Sequence, residues 1–478
     1  MAVYGRRRIG KTFLIKTLFA NRLTFYMTGI YEGMLRAQLE HFATQMTTYS
    51  GKHCAVPKDW YEAFELLKSH IASRGKKRAV VFLDELPWLD SRKSGFVKAL
   101  ELFWNSWGAD RDNLMLIVCG SSTTWMTSKI IGNKGGLHNR LTKRIYLAPF
   151  TIGETAEYLR SRKIDWSPKQ IAECYMALGG TPYYLSLLDR SKTLSDNIDA
   201  LYFSKQGELR TEFDFLFRSL FNDSAIYRRI VKILSETPDG LTLNEIAEKL
   251  ETTKGGSLSS VLKNLCDCDF LTEYRAFGKK QRDTTYKLVD FYSLFYLKFV
   301  EGAGLSNWTS STDDPISRTW YASAFELLCY CHIDLIKRAL GISGVMATVS
   351  AWRYKGEDGG AQIDLVIDRR DDVINLCEIK FSRLPFAITQ QYADRLEERK
   401  ELFRSVTKTR KSLRITMITL SGIKHFTLSH LNSSFECYFI IHRNHIIVCI
   451  HMPLIMRNDK ANLCNLITLF RWTSQFYV

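Results

Sequence analysis

Residues 5–12 read Gly5-Arg6-Arg7-Arg8-Ile9-Gly10-Lys11-Thr12, and this string, GRRRIGKT, satisfies G-x-x-x-x-G-K-[ST] in full. The spacing is a chemical requirement. Two glycines let the backbone curl so that the amides of Gly5 through Thr12 can wrap an anion, and a helix opening near Lys11 turns its positive end toward that anion. Lys11 would neutralise the outer phosphates of a nucleotide, and Thr12 offers a hydroxyl to Mg²⁺. A match somewhere in a chain of this length arises by chance with a probability of about one or two per cent.

Working outward, Arg78 to Leu89 reads RAVVFLDELPWL. A continuous apolar run is the pattern of a strand buried on both faces of a parallel sheet, and this one ends in two adjacent carboxylates. Asp84 is expected to hold Mg²⁺ and Glu85 to orient or deprotonate an attacking water. The distance from Lys11 accommodates two intervening β/α units. A third run, Leu114 to Cys119, leads into Gly120-Ser121-Ser122; if this strand neighbours the other two, Ser121 or Ser122 senses the terminal phosphate. Arg140, in Gly135 to Phe150 (GGLHNRLTKRIYLAPF), is a candidate arginine finger for its own or a neighbouring subunit. Gly179-Gly180-Thr181-Pro182-Tyr183-Tyr184 breaks a helical stretch and is expected to set the next helix over the nucleotide.

These strings, YGRRRIGKT, VVFLDELPWLD, the GSS after the third strand, NRLTKRIYLAPF and GGTPYYL, resemble the archaeal-type ATPase family of the AAA+ and signal-transducing ATPase group over residues 1 to about 300. The resemblance implies a P-loop NTPase core with a parallel sheet, a small helical lid and a winged helix, using ATP and Mg²⁺. Relatives carry a further stretch before the first strand. Here only Met1 to Tyr4 precede Gly5, so a nearly absent first strand and a shortened N-terminus are expected.

The middle of the chain follows that pattern by its own periodicity. Ile226, Ile230, Ile233 and Leu234 mark one helix, Pro238-Asp239-Gly240 a turn, Thr242 and Glu245 a capping box, and Leu258, Val261, Leu262 and Leu265 a third helix. Phe270–Arg275 and Thr284–Leu288 pair as a hairpin around a basic tip. Lys254, Lys263, Lys279, Lys280 and Arg282 are the candidates for nonspecific contacts to DNA phosphates.

Further on, Gly360 to Ile367 (GAQIDLVI) and Ile374 to Ser382 (INLCEIKFS) read as consecutive strands. Glu378 and Lys380, two apart, share a strand face and can converge with Asp364: two carboxylates for Mg²⁺ and a lysine for the hydrolytic water. This D…E-x-K arrangement resembles the restriction-endonuclease-like superfamily. The stretch from about 310 to 430 resembles the C-terminal domain often attached to this ATPase family. Glu326, in an apolar helix predicted from Trp320 to Ile336, matches the upstream helix carboxylate of that fold as a third metal ligand. Gln390, Gln391 and Tyr392 fall on the helix after the core strands. The alternative is a structural salt bridge at Lys380 in a domain that no longer cuts.

Composition agrees with this multidomain α/β architecture. At 478 residues roughly three domains are expected. Hydrophobic residues at 46% and charged residues at 24% exclude disordered, collagen-like and disulfide-scaffold classes. With 66 Lys and Arg against 50 Asp and Glu, a net charge of +16 favours polyanionic partners. Eleven cysteines, without paired metal-site spacing, fit a reducing cytoplasm. Phe435 to Ile455 is too interrupted by polar residues to span a membrane, and His442, His445 and His451 lack the spacing of a metal site. The expected organisation is an ATPase core at 1–150, helical lid at 151–220, winged helix at 221–300, nuclease-like domain at 310–430 and a tail without assigned role at 431–478. Its expected partners are ATP and DNA or a regulatory protein, with no membrane and with room for a homo-oligomer. The leading reading is an ATPase whose nucleotide state regulates the other domains; the alternative is a signalling switch with a silent nuclease-like domain.

Overall fold

The structure is a computed structural model that describes residues 1–424 except 133, 134, 138, 222, 253, 254, 280–282, 303, 357 and 358. The expectations for the tail and for Lys254, Lys280 and Arg282 lie outside the described residues. Among those described, no helix is long and apolar enough to cross a membrane.

The N-terminal third is a five-stranded, all-parallel sheet in the order β2-β3-β4-β1-β5. Its strands are β1 (Ala2–Tyr4), β2 (Phe25–Thr28), β3 (Ala79–Asp84), β4 (Leu114–Gly120) and β5 (Arg144–Tyr146). The apolar run at β3 has a plain cause: all six of its residues are buried. One sheet face is covered by α1 (Lys11–Leu18), whose Ile15 packs with Val3, Phe82 and Ile117. The other face carries α2 (Leu35–Ser50), α3 (Trp60–Ala72) and α4 (Phe96–Ser106), joined by rings such as Phe64 stacked on Phe103 at 5.1 Å.

Two expectations change here. The first strand is short but central, paired on both edges with β4 and β5. The Met1 amino group reaches Leu116 O at 2.8 Å. Between α1 and β3 the chain places one strand, β2, and two helices, where two β/α units were expected; the second helix packs against α2 and α4 and needs no strand of its own.

Beyond the sheet come α5 (Ile152–Ser161), α6 (Pro168–Leu178) and α7 (Glu208–Leu220). Capping boxes at Thr151/Glu154 and Ser167/Gln170 satisfy the free amides that begin α5 and α6. Next are α8 (Ser224–Ser235), β6 (Leu241–Thr242), α9 (Leu243–Lys249), α10 (Gly256–Asp267), β7 (Leu271–Tyr274) and β8 (Thr285–Leu288). Thr242 and Glu245 form the expected capping box, and the strands make an antiparallel sheet ordered β6-β8-β7.

The last part opens with α11 (Pro315–Cys331), followed by β9 (Ala347–Gly356), β10 (Gly359–Arg369), β11 (Val373–Lys380), α12 (Gln390–Thr407) and β12 (Ser412–Thr419). The predicted helix from Trp320 to Ile336 is two helices, parted at His332 (φ −117°). The sheet is mixed, in the order β12-β11-β10-β9: β11 and β12 run parallel, and the expected β10–β11 pair is antiparallel, with Leu365 opposite Cys377. One continuous apolar core runs from Ile152 to Ile418, so the helices, the small sheet and the mixed sheet are packed into one another.

Candidate functional site

Strand register brings the first site together. Tyr4 lies beside Gly120 and Thr28 beside Asp84, so the loop after β1, Ser121 and Glu85 all emerge at the carboxyl edge of the sheet. That is where open α/β sheets bind ligands. As expected, β4 stands between β1 and β3.

Gly5 adopts φ +143°, and a Cβ there would lie 2.2 Å from Leu147 O, so glycine is needed for backbone approach alone. Gly10 adopts φ +82°, and a Cβ there would meet no atom within 4 Å. Among the described residues the amides from Arg6 to Phe13 donate to no protein acceptor, and the first helical bond is Leu14 N to Gly10 O at 2.8 Å. Lys11 is buried, with Nζ donating to Gly5 O (2.9 Å) and Arg6 O (2.8 Å) at the centre of this arc. Unfilled N–H donors around one ammonium are the donor set for a polyphosphate, so the residues present fit a nucleotide.

Thr12 Oγ1 donates to Asp84 Oδ2 at 2.6 Å. These two oxygens are a hard pair suited to Mg²⁺. Glu85 takes a left-handed backbone (φ 50°), which turns its carboxylate toward β4, where the Ser121 amide donates to Oε2 at 2.9 Å and the Ser121 hydroxyl to Oε1. Ser121 therefore holds the candidate base.

Arg6, Arg7 and Arg8 were expected as phosphate-loop residues, and the side chains of Arg6 and Arg8 are engaged elsewhere. Arg6 is 1% exposed, donates to Asp290 Oδ1 at 2.6 Å and Thr181 Oγ1 at 3.3 Å, and lies over the Phe270 ring at 5.0 Å. Burial opposes its charge and Asp290 more than restores it, so the guanidinium stays well above its ordinary range. Arg8 is bidentate to Glu212 (2.9 and 2.9 Å) and lies 4.2 Å over Tyr183, whose amide donates to Arg8 O. The expected helix junction thus sits on the loop. Arg7 lies over Trp88 at 5.9 Å.

Asp290 and Glu212 were not anticipated. The available signal was an acid inside an apolar stretch: Asp290 alone in VDFYSLF, and Glu212 beside Asp214 in TEFDFLF.

Arg140 is not brought to the phosphate loop. Ala2 pairs with Arg144, and Arg140 borders a small cavity with Met1, Leu116 and Val118, at the amino end of β1. It therefore lies toward the opposite end of β1 from the loop that carries Lys11.

A second polar cluster lies in the mixed sheet. A register shift in β10 between Ile363 and Val366 falls at Asp364, whose Oδ2 accepts from Ile379 N at 3.0 Å. Glu378 accepts from Tyr392 Oη (2.7 Å), Arg399 (2.8 Å) and Lys380 Nζ (2.9 Å). Glu326, from α11, is pushed up to about 7, first by burial and then by Asp364 and Glu378, with Lys380 and Lys287 opposing. Asp364 is raised by burial and by Glu378. The three carboxylates lie within electrostatic reach of one another, yet among the described residues no three His, Cys, Asp or Glu converge as a metal-binding group. The reason is Glu378, whose oxygens are turned to Arg399 and Tyr392. Asp364 and Glu326 crowd like charge, and Asp364 Oδ1 accepts nothing among the described residues.

Of the predicted phosphate contacts, Lys263 and Lys279 are exposed. The α10 helix faces the first sheet across a cleft of about 1220 Å³, with Thr124 Oγ1 donating to Asn264 Oδ1 at 3.1 Å.

Comparison with known proteins agrees with this geometry. Residues 1–188 match the family model described as an ATPase domain predominantly from Archaea. An uncharacterized protein of Methanocaldococcus jannaschii is 27% identical over 304 residues, 63% of this chain and 64% of the relative, so less than two thirds of that protein's length is matched. Among solved structures, the Walker-type ATPase paby2304 of Pyrococcus abyssi is similar at 17% identity and a TM-score of 0.45, over 63% of this chain and 91% of that one. The ORC2 protein of Aeropyrum pernix, in ADPNP–ADP complexes, is similar at 14% identity and a TM-score of 0.41, over 62% and 86%. The family match and the loop together make residues 1–188 an archaeal-type ATPase domain, a parallel-sheet P-loop fold of the ATP-binding kind.

Proposed function

We propose that this chain is an ATP-hydrolysing switch whose nucleotide state repositions a winged helix (residues 221–300) and, through it, a nuclease-like domain (310–430) that acts on DNA. The observation that carries the proposal is the buried Arg6–Asp290 pair, which joins the phosphate loop to the residue just past β8 across 284 positions of sequence. Arg8 and Glu212 make the parallel link to α7. A loop that reshapes around phosphates moves both arginines; Asp290 belongs to the part to be moved, and Glu212 to the helical stretch that leads into it.

In this reading Lys11 leaves the carbonyls of Gly5 and Arg6 for the outer phosphates. Mg²⁺, when held by Thr12 and Asp84, neutralises phosphate charge. Glu85 orients and deprotonates the attacking water, and Ser121 sets its position. Arg140 serves a neighbouring copy of the chain. In the C-terminal domain Asp364 and Glu326 would hold a divalent ion, joined by Glu378 only once it is released from Arg399 and Tyr392, and Lys380 would position the water. The order of helices and strands from α8 to β8, with α10 as third helix, supports the winged-helix reading. The net charge of +16 supports a polyanionic partner.

The test is plasmid DNA with Mg²⁺ or Mn²⁺, with and without ATP. Metal-dependent nicking should vanish in Asp364→Ala and lose its ATP response in Lys11→Ala. Nicking indifferent to Asp364→Ala refutes the nuclease role. A second reading, a signalling switch with a silent C-terminal domain, is favoured by the locking of Glu378 to Tyr392, Arg399 and Lys380. Nucleotide-dependent domain movement without nicking in either metal selects it.

A further inference from the structure

Because the first sheet is all parallel, the amino ends of its strands also share one edge, opposite the phosphate loop. The chain enters β2, β3, β4 and β5 there through residues 19–24, 73–78, 107–113 and 141–144, which carry eight Lys and Arg against two Asp. All eight cations are exposed. Most of them fall in two groups. Arg74, Lys76, Lys77 and Arg78 form the turn into β3, and Lys143 and Arg144 lead into β5.

The β3 turn is held in shape. Asn113, the residue before β4, donates from Nδ2 to Gly75 O (3.1 Å) and Lys77 O (3.0 Å), and Gly75 N donates to Ala72 O at 3.0 Å. Like charges fixed together repel, and elsewhere the surface relieves its cations within one helical turn, as in Arg36 with Glu40 and Lys68 with Glu65. Among the described residues Arg74, Lys76, Lys77, Lys143 and Arg144 make no ion pair. Their counter-charge comes from outside the chain. The strand order β3-β4-β1-β5 puts three strand spacings between the two groups, about 14 Å. That is close to the major groove of duplex DNA, about 12 Å wide and walled on both sides by phosphates. Asp110 and Asp112, which lead into β4, fall between the groups, where the groove and not the phosphates would face them. An anionic membrane fits less well, because surface-bound proteins add apolar anchors and none of the large apolar side chains exposed among the described residues lies in these loops.

We propose that the amino edge of the ATPase sheet binds the backbone of duplex DNA without regard to sequence, the β3 turn meeting one strand and the β5 entry the other. This surface is separate from the winged helix and from the C-terminal carboxylates, and it stands without either reading. It lies across the sheet from the nucleotide, so DNA held there stays bound while the nucleotide state changes. Each phosphate that is neutralised releases counter-ions, so the logarithm of the affinity falls with the logarithm of salt concentration by about 0.9 per contact.

Fluorescence anisotropy of a labelled DNA duplex of arbitrary sequence, titrated with the full chain over a range of salt and without nucleotide, tests this. Replacing Arg74, Lys76 and Lys77 together by alanine should weaken binding about tenfold or more at low salt and reduce the salt slope by about 2 to 3. Lys143→Ala with Arg144→Ala should reduce the slope by about 1 to 2. A control that removes as much charge elsewhere, from exposed Lys58, Lys98 and Lys205, should leave the slope nearly unchanged. ATP turnover equal to that of the unmodified chain reports that each variant is folded. A single strand of the same sequence cannot meet both groups across a groove and should bind more weakly; equal affinity overturns the duplex assignment. A β3-turn variant that loses no more affinity than the control overturns the surface itself, and so does duplex binding that disappears only in Lys263→Ala with Lys279→Ala, which would place the contact on the winged helix.

Discussion

The phosphate loop and the C-terminal carboxylate cluster are both built at strand ends, but they stand in opposite electrostatic states. In the loop the amide donors of consecutive residues are left open, and the Lys11 ammonium at its centre rests on main-chain carbonyls that a phosphate can replace. In the cluster the charges come from α11, β10, β11 and α12, and Glu378 is closed by three side-chain donors. A site set by the local backbone is poised wherever its helix begins, because the amides have no other partner. A site assembled from distant elements is poised only when the elements are placed for it, and so can be regulated by moving them.

The largest effect expected of this contrast is on ATP turnover. Lys11→Ala removes the only central cation and should lower the hydrolysis rate by about a hundredfold to a thousandfold in a coupled phosphate-release assay. Asp364-dependent Mn²⁺ binding should stay unchanged in the absence of nucleotide. Turnover within a factor of a few of the unmodified chain would erase the distinction between a poised and a closed site.

Next is the bridge between the regions. Arg6 and Asp290 are both buried, so Asp290→Ala strands a charge and should cost about 3–5 kcal/mol in urea unfolding. Asp290 also accepts from Ser293 N (2.9 Å) and Oγ (2.6 Å). Asp290→Asn separates the two roles, because an amide oxygen can keep the cap while losing the charge. Arg6→Met with Asp290→Leu should recover most of the loss, as apolar replacement of a buried pair does. A cost below about 1 kcal/mol for Asp290→Ala would mean that the loop does not hold the rest of the molecule through this pair.

The glycines sharpen the same contrast on a smaller scale. Gly5→Ala forces a Cβ against Leu147 O and should destabilise by about 2 kcal/mol or more whether or not nucleotide is present. Gly10→Ala meets no protein atom, so its stability cost should stay near 1 kcal/mol, set by φ +82°. The added methyl stands where the loop turns into α1, and fluorescent-nucleotide titration should find affinity lowered about tenfold. Equal affinity in Gly10→Ala and the unmodified chain would place the phosphates elsewhere.

What could be read in advance follows the same division. The loop, the buried strand ending in Asp84-Glu85 and the β10–β11 hairpin are contiguous patterns, and each stands where its residues predict. Arg6 is different: three successive arginines in a phosphate loop read as phosphate ligands, and only the fold supplies Asp290, 284 residues on. For Arg140 strand direction, not sequence distance from the loop, decides which sheet edge it reaches, and the sequence left its own and a neighbouring subunit both open. The closing of Glu378 depends on Arg399, which sits on a helix whose pattern carries no sign of its target.

The smallest expected effect lies at the junction of the two regions. His332 ends α11 with Nδ1 on Leu328 O (2.9 Å), and Nε2 accepts the Ile152 amide (3.0 Å) that opens α5. With Nε2 accepting, the ring must be neutral, and burial holds its proton affinity below the usual histidine range. An unfolded chain therefore takes up this proton before the folded one does, and stability falls as pH drops through about 6.5 toward the folded value. Between those limits the loss is at most about 1.4 kcal/mol per pH unit. His332→Gln, which cannot gain a charge, should flatten that part of the stability profile in urea melts between pH 7 and 5.5. Hydrogen exchange at Ile152 should rise in the same range in the unmodified chain and not in the variant, because protonation takes away that amide's acceptor. An unchanged profile in the variant would show that the junction does not register this proton, and that the two regions are joined there by apolar packing alone.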